Sequence, residues 1–192
     1  GNVDMEAGPC SIGDWGAPLI KLADESAAGS KEDVLVGLAS YGNPGCGEHD
    51  PSFIYTHVVS HYQWIHRTIC FESANAPPGC ELAYSAAPSS SPSIAPYDPT
   101  NFFTILSDTT SGRGTMRCGG SLLTPNLVLT ATSCLGGISD ATSMVARVGY
   151  ESDDRTFAVR NVSHIIEHPG SKGQGEHYPN AVAIIVLTEP VY

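Results

Sequence analysis

The sequence predicts an all-β fold of short strands with one short closing helix. Three observations carry that prediction. The chain of 192 residues contains 20 glycines and 14 prolines, a share that favours many turns over long helices. Its apolar residues fall in short runs rich in β-branched and aromatic side chains. Only 15% of residues are charged, while six are cysteines, a pattern of loop-rich chains held by disulfides in an oxidising compartment.

The elements follow in order. Residues 18–22 and 34–40 read as strands separated by a polar loop, and 53–59 as a third strand. Residues 60–68 (SHYQWIHRT) place apolar and aromatic side chains at helical spacing, with Ser60 as the expected N-cap. Residues 71–101 are rich in Pro, Ser and Ala without hydrophobic period, the composition of a linker. The β pattern returns at 102–106, 119–123, 127–132, 144–150, 155–166 and 181–187. The expected organisation is a β-rich unit over 1–70, a linker over 71–101 and a second β-rich unit over 102–192, with no internal repeat.

Charge and composition exclude several classes. The net charge of −11 offers no basic footprint for phosphates, so nucleic acid is not an expected partner. No apolar run has the length of a membrane span. The opening at Gly1 carries no signal pattern and reads as a mature or excised segment. None of Cys10, Cys46, Cys70, Cys80, Cys118 and Cys134 forms a CxxC pair, so no zinc spacing is present and no metal or cofactor is expected. Spacing alone leaves every pairing of the six open. His57, His61 and His66 read as surface and helix-flank residues, and the acidic stretch 151–154 as a solvated turn. Asn161-Val162-Ser163 is an N-glycosylation sequon.

Several dispersed motifs resemble one family. Residues 118–134 read CGGSLLTPNLVLTATSC, which is similar to the histidine-bearing segment of trypsin-like serine proteases, CGGSL at its start and VLTAAHC at its end. Residues 165–169 (IIEHP) and 180–187 (NAVAIIVL), then Glu189-Pro190-Val191, resemble later strands of the same barrel. Residues 10–19 (CSIGDWGAPL) resemble the family's nucleophile loop, C-x-G-D-S-G-G-P-L. Residues 36–42 (VGLASYG), Gly45-Cys46 and 53–56 (FIYT) continue in family order to a closing helix with Trp64 and Ile65. The two halves come in reversed order. The resemblance therefore implies the tail of one chymotrypsin-like domain, a linker, and the first barrel of the next: Greek-key β-barrel halves with a short closing helix. Circular permutation is the rival account, and it lacks the opening strands of the family's second barrel.

The family's chemistry needs a serine nucleophile, a histidine base and an orienting aspartate. The matching positions here are Trp15, Ser133 and Ala181, so the resemblance implies a chain with no catalytic residue. Indole offers no nucleophile, and a serine hydroxyl is no base near neutral pH. The extra residue between Cys10 and Gly13 disturbs the family's oxyanion loop. Gly8 stands at the base of the specificity pocket and Phe53 at its wall, which with Trp15 implies an occluded pocket. The resemblance also implies the bridges Cys118–Cys134 and Cys10–Cys46, leaving Cys70 and Cys80 to each other. The functional expectation is a non-catalytic, secreted protease homologue acting as a structural, assembly or protein-interaction module. Its expected partners are proteins, neighbouring copies that complete the half-barrels among them. The second expectation is a regulatory pseudoprotease that binds and inhibits an extracellular hydrolase.

Overall fold

The structure, a computed structural model, describes residues 14–22, 34–42, 53–80, 102–109, 115–136, 138, 140–149, 158–171 and 181–192. Three strands come first: β1 (Pro18–Lys21), β2 (Val34–Gly42) and β3 (Phe53–His57). They form an antiparallel sheet in the order β1-β2-β3, with Pro18 opposite Leu38 and Leu38 opposite Thr56. A 3-10 turn over Val58–His61 then leads into α1 (Tyr62–Glu72).

The helix begins and ends later than its pattern suggests. His61, not Ser60, occupies the N-cap and makes no side-chain cap bond; Ser60 Oγ instead approaches His57 Nδ1 at 3.4 Å. The helix runs to Glu72, because Ile65, Thr68, Ile69 and Cys70 continue one buried or half-buried stripe past residue 68. The expected boundary at residue 70 thus falls inside the helix. The Cys70–Cys80 bridge closes the turn that follows.

Residues 102–192 close a barrel without help from any other chain. Its strands are β4 (Phe103–Asp108), β5 (Thr115–Thr124), β6 (Leu127–Thr130), β7 (Met144–Val148), β8 (Ala158–Glu167) and β9 (Ala183–Leu187). They close in the order β4-β5-β6-β9-β8-β7, all neighbours antiparallel, with β7 returning to β4. This half is therefore a closed barrel rather than an incomplete one, and among the described strands only the β1-β2-β3 sheet stays open. The Cys118–Cys134 bridge ties β5 to the 3-10 turn Thr132–Leu135.

Two cores explain the packing. The barrel interior contains Leu106, Val128, Met144, Ala146, Val162, Ala183 and Ile185, all fully buried. A second core lies outside the barrel wall, where Leu127, Leu129, Ile184 and Val186 meet Leu38 of β2 and Ile65 of α1. Strands β6 and β9 are consequently buried on both faces, as their unbroken apolar sequences LVLT and AIIVL demand. The first half of the chain covers the outer face of the barrel formed by the second half.

Candidate functional site

The site lies where the loop before β1 meets the β5–β6 region of the barrel. Gly16 makes the closest approach. Its φ is +79°, and a Cβ there would collide with Thr130 Oγ1 and the Gly119 carbonyl. A Cβ on Gly119 would in turn come within 2.8 Å of Ala17 Cα. Glycine on both sides lets two backbones pack against each other. Hydrogen bonds then fix the register: Gly119 N donates to the Trp15 carbonyl at 2.7 Å, and Gly16 N to the Ala39 carbonyl at 2.6 Å. Thr130 Oγ1, buried on β6, donates to the Gly119 carbonyl at 2.8 Å.

Each of the three residues singled out from the sequence lies at this junction of the halves. Trp15 is half-buried and packs against the barrel core, with its carbonyl 3.3 Å from Cys134 Sγ. Ser133 is the neighbour of that cysteine in the 3-10 turn. Its Oγ is buried and has no hydrogen-bond partner among the described residues, as is also true of Thr132 Oγ1. Among the described residues, no imidazole is hydrogen-bonded to the Ser133 hydroxyl. Ala181 is fully buried ahead of β9, and its carbonyl accepts a 3.4 Å hydrogen bond from Thr56 Oγ1 of β3. Backbone and apolar contacts join the two halves of the chain here.

Other predicted positions are scattered. Phe53 opens β3 opposite Gly42, and its side chain is outside the described set. Gly8, Cys10, Cys46 and residues 151–154 also lie outside the described residues. Asn161 is exposed on β8, and its carbonyl accepts from Thr188 N at 3.0 Å. His57, His61 and His66 do not converge: His57 is exposed, His61 is buried at the foot of the helix, and His66 faces Cys70.

Sequence reading missed the polar fastenings of the interface. Asn126, buried in the β5–β6 turn, accepts from Ala74 N at 2.8 Å and donates to the Glu72 carbonyl at 2.9 Å. It thereby satisfies a carbonyl at the end of α1 that the helix itself leaves open. His168, beyond β8, stacks edge-on against His61 and Trp64, each ring pair 5.1 Å apart. His164 lies 3.5 Å from Glu72. The imidazole of His61 is held below its usual pKa, first by burial and then by His168 and His57. In the sequence, residues 165–169 are legible only as a motif; nothing in their spacing shows that His168 packs on Trp64.

Comparison with known proteins agrees with the trypsin-like fold of the barrel half. The trypsin family matches residues 94–192, more than half of the chain. Glucanase inhibitor protein 1 of Phytophthora sojae is 44% identical over 57 residues, which cover 30% of this chain and 21% of that protein. Glucanase inhibitor protein 3 of the same organism is 42% identical over 65 residues, covering 33% and 44%. A modular serine protease of Drosophila melanogaster is 37% identical over 84 residues, covering 38% and 13%. The matched region spans less than half the length of each of these relatives.

Proposed function

Since the chain belongs to the trypsin family, we propose that it is a non-catalytic, secreted member whose function is to bind other proteins. One observation carries the reading: the positions that match the family's nucleophile, base and orienting acid hold Trp15, Ser133 and Ala181. An indole, an unserved hydroxyl and a methyl group contain no proton relay. Gly8 at the pocket base and Phe53 at its wall go with an occluded specificity pocket. Four of the six cysteines form disulfides, which fits an oxidising, extracellular compartment. The exposed Asn161 fits a glycan site in such a compartment. Among the described residues, no helix is long and apolar enough to cross a membrane.

The names of the relatives favour one specific form of this reading, a regulatory chain that inhibits an extracellular hydrolase of the glucanase class. A third partner class is a neighbouring copy. The open β1-β2-β3 sheet exposes Leu19, Val34 and Ile54, and strand addition there is a general route to association.

The test takes the purified chain through two assays. A fluorophosphonate probe should leave it unlabelled, and a panel of glucanases should include one whose rate falls in a saturable, concentration-dependent way. Labelling at any serine would overturn the non-catalytic reading. Full activity across the panel, with no complex on gel filtration, would remove the inhibitory form. Concentration-dependent self-association without hydrolase binding would favour neighbouring copies.

A further inference from the structure

We propose that the end of α1 contains a redox-gated metal site, in which His66, Cys70 and Cys80 bind one divalent cation of the zinc type once the Cys70–Cys80 bridge is reduced. His66 and Cys70 stand one helical turn apart, so both side chains project from the same face. The His66 Nδ1 atom lies 3.8 Å from Cys70 Sγ. The short turn after the helix brings Cys80 back, and one nitrogen and two sulfurs then lie within 4.8 Å of one another. Among the described residues this is the only group of three with that geometry. An imidazole with two thiolates is a zinc donor set, and a water completes the four-coordinate shell. Burial of both cysteines and the half-buried imidazole limits access by competing ligands.

The chemistry balances as follows. A dithiol or phosphine reductant gives two electrons to the bridge, the S–S bond breaks, and each sulfur takes one proton from solvent. The dithiol leaves as its own disulfide, or the phosphine as its oxide with one water consumed. Metal binding then displaces the two thiol protons to solvent, since the thiolate is the ligand. The bridged form offers no thiolate and binds no metal, so the two states exclude each other. The location gives the exchange a consequence. The closed turn also presents Ala74 N and the Glu72 carbonyl to Asn126 of the barrel, so a metal would keep the turn closed when the bridge is open.

This inference is independent of whether the chain inhibits a hydrolase. The test uses the full chain, reduced by a water-soluble phosphine, with zinc or with chelator present. Alkylation is then read at each cysteine by peptide mass. Saturating zinc should slow alkylation at Cys70 and Cys80 about tenfold or more and leave Cys118 and Cys134 unchanged. Cobalt in place of zinc should give the visible bands of a tetrahedral thiolate site. His66→Asn should lower the affinity by at least about tenfold while leaving far-UV circular dichroism unchanged. Equal alkylation with zinc and chelator overturns the proposal. So does protection that persists in His66→Asn, a cobalt spectrum that survives Cys80→Ser, or a chain that unfolds on reduction even with zinc present.

Discussion

Gly16 is the residue on which the junction of the two halves most depends. Its positive φ suits glycine, and the space where a Cβ would stand is already filled by Thr130 Oγ1 and the Gly119 carbonyl. The backbone conformation alone costs a non-glycine residue about 1–3 kcal/mol. The neighbours that would have to yield are a backbone carbonyl and a hydroxyl already bonded to it, so relief by side-chain movement is small. Gly16→Ala should therefore destabilise the chain by at least about 2 kcal/mol in urea unfolding. A change below about 0.5 kcal/mol, the range of ordinary surface substitutions, would mean that the loop carrying Trp15 does not dock on Gly119 in solution. Trp15 shows the same dependence from the other side: it packs on the barrel through its ring and binds Gly119 through its carbonyl. Its identity at a nucleophile-loop position is legible in the sequence, but its packing is not, because the partner residues lie more than a hundred positions away.

At the scale of elements, α1 is held to the barrel by a polar latch and a histidine cluster. Asn126→Ala removes both the acceptor of Ala74 N and the donor to the Glu72 carbonyl. Leaving such groups unpaired costs about 1–3 kcal/mol each where water cannot replace the partner. The expected result is faster amide exchange at Ala74 and at the end of α1, with barrel strands unaffected; equal exchange in both proteins would show that the latch carries no load. The histidine cluster adds a pH dependence. His61 has a lowered pKa in the folded chain, so the unfolded chain binds the proton more readily. Its contribution to stability is complete above the unfolded value near 6.5 and falls as pH drops through that value toward the folded one. The groups facing it from its own segment and from the turn after β8 are His57 and His168, both of which oppose a second positive charge. His61→Gln should therefore flatten the fall in stability between neutral and mildly acidic pH, measured by urea midpoints at matched ionic strength; a slope equal to wild type would assign the dependence elsewhere. The sequence showed the strands well, since short β-branched runs and their turn residues are local signals. It misplaced the start of α1 because Ser60 is a better cap by type than His61, yet the chain enters the helix through a 3-10 turn that carries Ser60 away from the first helical amides. The buried outer face of β6 and β9 was also present in their unbroken apolar runs, but a run cannot name what covers it.

For the whole molecule, the question is what holds residues 14–80 on the barrel of 102–192. The reversed motif order reads as the tail of one domain, a linker and the first barrel of the next, and across that linker Leu38 and Ile65 share one core with Leu127, Leu129, Val182, Ile184 and Val186. Separating the halves would expose these buried side chains, each contributing about 1.5–3 kcal/mol when fully removed from water. No described disulfide crosses between the halves: Cys70–Cys80 lies in one and Cys118–Cys134 in the other. The remaining pair, Cys10 and Cys46, both precede residue 80. Covalent connection within one chain raises the effective concentration for docking, which favours contact within the chain over contact between copies at micromolar protein. A cleavage site engineered into residues 86–92 separates these contributions. After cutting at neutral pH, the two fragments should elute together as a one-to-one complex without reductant, since apolar burial and the Gly16, Asn126 and His61 contacts remain. Lowering the pH toward 5 should weaken the complex, because protonation of His61 acts directly on its interface. Fragments that elute apart at neutral pH and micromolar concentration would show that the covalent connection, not the shared core, keeps the halves together. Elution of the uncut chain as a concentration-dependent oligomer would show instead that the same core forms between copies, each first half seated on the barrel of a neighbour.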